Sequence, residues 1–275
     1  MRSKLLAFWI LSAPAVCALL SLSAMSWAQT GASGAVWTAP FTVGEAGAYA
    51  CARAQSPIKI DGRVDEPAWV AAQRIEGLIV PPNVIWERLT LSDPAPAKSR
   101  TTARLLWDDN HLYFSAQLVD RDIYATHEKE HDPPFGGDDI MELFVKPSPA
   151  IPYYWEFHVI PTGGTRDYFY ARRGAGGDSR WRPYDSGMVA AATVSGTINN
   201  WEDHDQRWTV EMAVPWEAFR RMGGRPKAGD VWTFLVSRYN YSVHLQEGLE
   251  FSAAAPLPRA AFHLFEHYPS IVFAP

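Results

Sequence analysis

Between His111 and Val119, Leu112, Phe114, Ala116 and Leu118 alternate with His111, Tyr113, Ser115 and Gln117. A period of two over that length predicts a half-buried strand. Thr101 to Trp107 is rich in β-branched and bulky residues, and Asp108, Asp109 and Asn110 supply turn chemistry between the two runs, so together they predict a hairpin. Ile140 to Val145 and Tyr153 to Ile160 are the next two strands, separated by Pro147, Pro149 and Pro152. Arg207 to Val214 sets Trp208, Val210, Met212 and Val214 on one face, and Val231 to Tyr239 and Ser270 to Phe273 complete the series. Helical signals are few. Asp65 and Glu66 ahead of Pro67, Ala68 and Trp69 start one short helix, and Pro215 to Met222, closed by Gly223 and Gly224, gives a second. The pattern predicts an all-β protein, a two-sheet antiparallel β-sandwich of the jelly-roll or immunoglobulin-like kind with one or two short helices.

The start of the chain follows a different pattern. Met1 to Lys4 is short and basic, Leu5 to Leu22 is mostly apolar, and Ser26 and Ala28 are small residues at the spacing a signal peptidase reads. Residues 1–28 are therefore expected to be a signal peptide, 29–48 a linker or loose arm, and 49–275 the β-sandwich domain. An uncleaved membrane anchor is the alternative reading of the apolar stretch. Cleavage removes Cys17 and leaves Cys51 alone, so the mature fold is expected to rely on its core rather than on an internal disulfide. A secreted or periplasmic location follows.

With 275 residues, 47% of them hydrophobic and 20% charged, the chain has ample material for a core. Its formal net charge is −5, and loss of Arg2 and Lys4 with the leader makes it −7. An acidic surface repels phosphate backbones, which argues against a nucleic-acid partner. A Gly-rich phosphate loop, a paired cysteine motif and Gly-x-Ser-x-Gly are missing from the sequence, and no HExxH zinc helix is predicted.

Strand parity sets out candidate chemistry. Glu156 and His158 share one face of their strand, and Tyr153, Trp155, Phe157 and Val159 share the other. Glu142 shares a face with Ile140 and Phe144. If the two strands pair, Glu142, Glu156 and His158 cluster on one sheet face. A pyranose presents an apolar C–H face and a rim of hydroxyls, so flat rings beside such groups suit a sugar. Phe135 and Phe262 can wall a groove there, Trp155 is a further ring, and Arg238 and Asn240 can add donors. Trp69, Trp107, Trp208 and Trp216 are expected in the core. Asp120, Asp122, Asp138 and Asp139 are possible oxygen ligands for a structural calcium, with turn capping as the competing role. His127 and His131, four residues apart, are a weaker metal candidate.

Five stretches resemble the family 9 carbohydrate-binding modules and their DOMON-like relatives. They are Ile58 to Gly62 with Asp65 to Trp69, Ala71 and Ala72; Leu106 to Tyr113 with Val119 and Asp120; Asp139 to Phe144; Trp208 to Trp216; and Phe262 and His263 through Tyr268 to Phe273. The resemblance spans about 49–273 and implies a two-sheet sandwich that binds a poly- or oligosaccharide between aromatic rings, in some relatives with structural calcium. It implies sugar contact at Glu142. His158 stands where an arginine contact is usual, and Phe262 where an aromatic clamp can sit. Phe135 is one position from the other clamp, whose direct match is Gly136, and Leu235 replaces a residue that is often polar. Non-catalytic carbohydrate binding in polysaccharide capture or carbohydrate catabolism is the resulting expectation. Two alternatives remain: a glycoside hydrolase using Glu142 and Glu156 as its carboxylate pair, and a haem-binding electron-transfer sandwich drawing on Met141, Met188 or Met212 with His158 or His263.

Overall fold

The computed structural model describes residues 39–44, 47–82, 93–129, 131, 137–175 and 184–275. The leader expected at 1–28, most of the expected linker, and Phe135 with its neighbour Gly136 lie outside the described residues.

Among the described residues, fifteen strands follow in chain order. They are β1 (Phe41–Thr42), β2 (Ala48–Arg53), β3 (Ile75–Glu76), β4 (Ile79–Val80), β5 (Ala95–Pro96), β6 (Thr101–Trp107), β7 (His111–Val119) and β8 (Ile140–Lys146). Then come β9 (Tyr154–Val159), β10 (Thr165–Tyr170), β11 (Val189–Ser195), β12 (Arg207–Pro215), β13 (Val231–Tyr241), β14 (Leu249–Ala253) and β15 (Ser270–Phe273). A four-residue helix α1 (Pro67–Val70) and 3-10 turns at Trp216–Met222 and Phe265–His267 complete the list. The expected strands and both expected helical segments are present. Phe41, Thr42 and Ala48, read from sequence as part of a loose arm, are strand residues, and the Phe41 ring is buried in the core.

Strand pairing runs β10-β9-β8-β13-β15-β2-β6-β7-β12-β11. The joint is β2. Its residues 48–51 pair in parallel with β15, and Ala52 and Arg53 pair in parallel with β6, so one strand serves both layers. The remaining neighbours along this path are antiparallel. Alternate residues of the two layers meet in the main core. Leu105, Phe114, Leu118, Trp208 and Met212 come from one layer, and Met141, Leu143, Trp155, Phe157 and Phe234 from the other. This is the two-layer β-sandwich that the alternation predicts.

Both outer faces also carry cover. Tyr113 and Ser115, on the polar face of β7, are buried rather than solvated, because residues 54–72 lie over that face with Trp69 packed against Leu106, Tyr113 and Ala213. Glu211 on β12 latches this cover. It accepts hydrogen bonds from Trp69 Nε1 at 2.9 Å, from the Asp61 amide at 3.1 Å and from the Gly62 amide at 3.0 Å. Gly62 adopts φ +83°, and a Cβ there would meet the Ala192 backbone at 2.8 Å, so the close approach requires glycine. On the opposite layer, residues 255–268 lie over β8, β9, β13 and β14. Phe262, Leu264 and Tyr268 pack there with Phe144, Tyr154 and Leu235.

Candidate functional site

The outer face of β8, β9 and β10 carries the polar cluster expected from parity. The register sets Glu142 opposite His158 and Phe144 opposite Glu156. His158 Nε2 lies 2.6 Å from Glu156 Oε1 and 3.2 Å from Glu142 Oε1. The Ser237 hydroxyl donates to Glu142 Oε2 at 2.6 Å. All three members of the cluster are buried, with Glu142 at 0% exposure and His158 at 3%.

Burial decides the charge states. Desolvation pushes the Glu142 carboxyl up to about 8, with the Glu156 charge adding to the rise and His158 opposing it. For His158, burial works against the cation, but Glu156 and Glu142 outweigh it and hold the imidazole above its ordinary range. At Glu156 burial is again unfavourable, and the His158 charge and hydrogen bond win, leaving the carboxylate below its usual range. The cluster thus favours a proton on Glu142 and a cationic His158 facing an ionised Glu156. Tyr170, Tyr239 and Tyr268 surround it, their phenol pKa values raised by burial and by the carboxylates.

The cleft expected around this cluster is filled. Phe262, the expected clamp ring, is 6% exposed and meets Tyr239 edge-on, while its carbonyl accepts the Tyr268 hydroxyl at 2.6 Å. Leu235 packs beneath it. The expectation of an open groove walled by Phe262 is therefore corrected, because residues 255–268 close over the sheet face.

The other candidate residues lie elsewhere. Trp155 points into the inter-sheet core, opposite to Glu156, and its indole donates to Tyr184 Oη at 2.9 Å. Arg238 also faces away from the cluster. It is fully buried and ties β13 to the other layer through Asp120 at 2.6 Å and the Val119 carbonyl at 3.0 Å. Asn240 donates to Ser99 Oγ at 2.6 Å. The four aspartates proposed for calcium serve separate partners. Asp120 takes Arg238 and the Asp122 amide, and Asp122 takes the Val243 amide. Asp138 takes Thr126 and lies against His127, and Asp139 takes the Tyr124 and Tyr241 amides. His131 approaches Thr165 and Asp167 instead of His127. Among the described residues, only Glu142, Glu156 and His158 bring three metal-capable side chains together, with ligand atoms within 4.8 Å of one another. Met141 and Met212 sit in the inter-sheet core, whereas His158 and His263 lie on the outer face, so these residues do not flank a common haem site.

A family model described as carbohydrate family 9 binding domain-like matches residues 60–243, about two thirds of the chain. The chain belongs to this family. Solved structures agree on the fold of this family 9 domain. A protein of Bacteroides uniformis aligns with TM-score 0.57 at 13% identity, covering 82% of this chain and 98% of its own. A family 9 carbohydrate-binding module of Caldicellulosiruptor kristjanssonii, solved with cellotriose, aligns with TM-score 0.54 at 14% identity, covering 83% and 94%. The same organism's family 9 module solved with glucose gives 0.50 at 12% identity, covering 82% and 95%. No curated protein matches the chain.

Sequence reasoning missed the rings that fill the family 9 domain's sheet face. Tyr168 and Tyr170 come from β10, where Arg166, Tyr168 and Tyr170 alternate with Asp167 and Phe169. That period of two was the available signal.

Proposed function

We propose that this chain is an exported, non-catalytic carbohydrate-binding protein acting in polysaccharide capture or carbohydrate breakdown. The observation that carries the reading is membership of the carbohydrate family 9 binding domain-like family over 60–243. The shared fold with modules solved with cellotriose and glucose supports it. Export rests on the basic, apolar and small-residue order of residues 1–28.

The Glu142–Glu156–His158 geometry favours binding over cleavage. A glycosidase keeps its two carboxyls about 5–10 Å apart with the scissile bond between them. Here the His158 imidazole occupies that gap, hydrogen-bonded to Glu156 and in reach of Glu142. We read the cluster as a buried charge network that fixes the sheet face, with saccharide taken at an open part of the surface. Affinity electrophoresis of the full chain in gels containing single polysaccharides, paired with a reducing-end assay, tests the reading. Retardation by at least one polysaccharide with no release of reducing ends is expected. Release that disappears in Glu156→Gln would establish a hydrolase instead.

A further inference from the structure

The loop between β11 and β12 presents an indole to solvent. Trp201 is 60% exposed, while Trp69, Trp107, Trp155, Trp208, Trp216 and Trp232 are buried. It lines a surface concavity of about 720 Å³ together with Glu202, His204, Val243 and His244. The concavity is shallow and opens broadly to solvent. The His204 and His244 rings lie 5.3 Å apart, and Arg121 Nη2 reaches His204 Nδ1 at 3.5 Å.

The loop that holds the ring is fastened along its length. Asn199 stands at φ +65°, the one non-glycine residue with positive φ among the described residues. Its side chain accepts from the Ala125 amide at 3.0 Å and donates to the Ala125 carbonyl at 2.6 Å, and its own amide donates to the Ile123 carbonyl at 2.9 Å. Asp205 accepts the Ile123 and Thr197 amides at 2.7 Å each, and Asp203 accepts the Thr197 hydroxyl at 2.6 Å. Gly196 leaves room for the Asp205 carboxylate, which a Cβ would strike. The facing wall hangs from the same segment, since the Val243 amide donates to Asp122 at 2.8 Å. Both walls are thus anchored on 120–125, so the loop that carries the exposed ring needs little ordering when a ligand binds.

From this geometry we infer that Trp201, with His204, His244 and Glu202, forms a surface saccharide site. This rests on the carbohydrate-binding reading above and assigns it a place. The indole offers one flat apolar face for the C–H face of a pyranose, and the two imidazoles and Glu202 offer hydrogen bonds to its hydroxyls. Arg121, against His204, and Glu202 place one positive and one negative group beside the ring, so neither sign of charge is favoured in the ligand. Rings with equatorial hydroxyls present the flattest C–H face, so the ligand class is a neutral oligosaccharide of such rings, for which β-linked glucans serve as the probe.

Calorimetric titration of the full chain with cellotriose and a panel of neutral β-linked oligosaccharides tests the site. Wild type should saturate with at least one of them. Trp201→Ala should bind it about tenfold or more weakly, the loss typical of a central aromatic anchor, with its melting temperature unchanged because the ring is exposed. His244→Ala should weaken binding severalfold, and Trp201→Phe, which keeps a stacking ring, should fall between wild type and Trp201→Ala. These two variants carry the comparison should Trp201→Ala lose its fold. Binding in Trp201→Ala and His244→Ala equal to wild type would overturn the site and leave the carbohydrate-binding reading standing. Wild type that binds no member of the panel, nor any polysaccharide in the gel assay, would overturn that reading and the site with it.

Discussion

Glu142 is a carboxyl that folding forces to keep its proton. Its pKa of about 8 in the folded chain stands against about 4.3 in an unfolded one. Between those values the folded chain holds a proton that the unfolded chain has released, so stability falls as pH rises through that window. His158, also raised, acts in the same sense above its ordinary value of about 6.5. Glu156 is lowered, and its opposing effect is confined to acid conditions below its unfolded value. Wild type should therefore lose melting temperature from pH 5 to pH 9, and Glu142→Gln, which cannot ionise, should show a flatter profile. Parallel profiles would remove Glu142 from the account. That these three side chains share a face was legible from a period of two in each strand. That they are sealed was not legible, because the seal comes from Phe262 and Tyr268, more than a hundred residues later in the chain.

Strands and loops explain why other candidates left the cluster. Arg238 follows Ser237 on β13, and one step along a strand reverses the face. Ser237 therefore meets Glu142, while Arg238 crosses to Asp120 on the other layer. The pair is fully buried, and removing one partner strands a charge in the interior. Arg238→Ala should cost roughly 3–5 kcal/mol in urea unfolding, and a loss under about 1 kcal/mol would contradict its role as the tie between layers. The hairpin of β6 and β7, the closing strand at Ser270–Phe273 and the short helix at Trp69 were readable because local alternation and turn residues decide them. Short strands such as β3, β4 and β5 were not, since two residues set no period and their pairing is fixed by distant partners. The motif from Ile58 to Trp69 is a docking element, with Trp69 buried as expected. Gly62 and Trp69 dock it on Glu211.

For the whole molecule, a continuous path of strand pairs folds into two layers, and each layer is roofed by an irregular segment of the same chain. On one side the roof is 54–72, and on the other it is 255–268, which covers the face where an open cleft was expected. The loop end bearing Trp201 escapes this cover and keeps its indole in solvent. Among the described residues, no helix is long and apolar enough to cross a membrane. The account stands on the chain's capacity to hold a saccharide, and a glycan array probed with the folded full chain measures that directly. Reproducible, concentration-dependent signal on neutral β-linked glucans, competed by the same free oligosaccharide, is the predicted result. An array with no signal on any glycan, from protein whose melting transition confirms that it is folded, would contradict it.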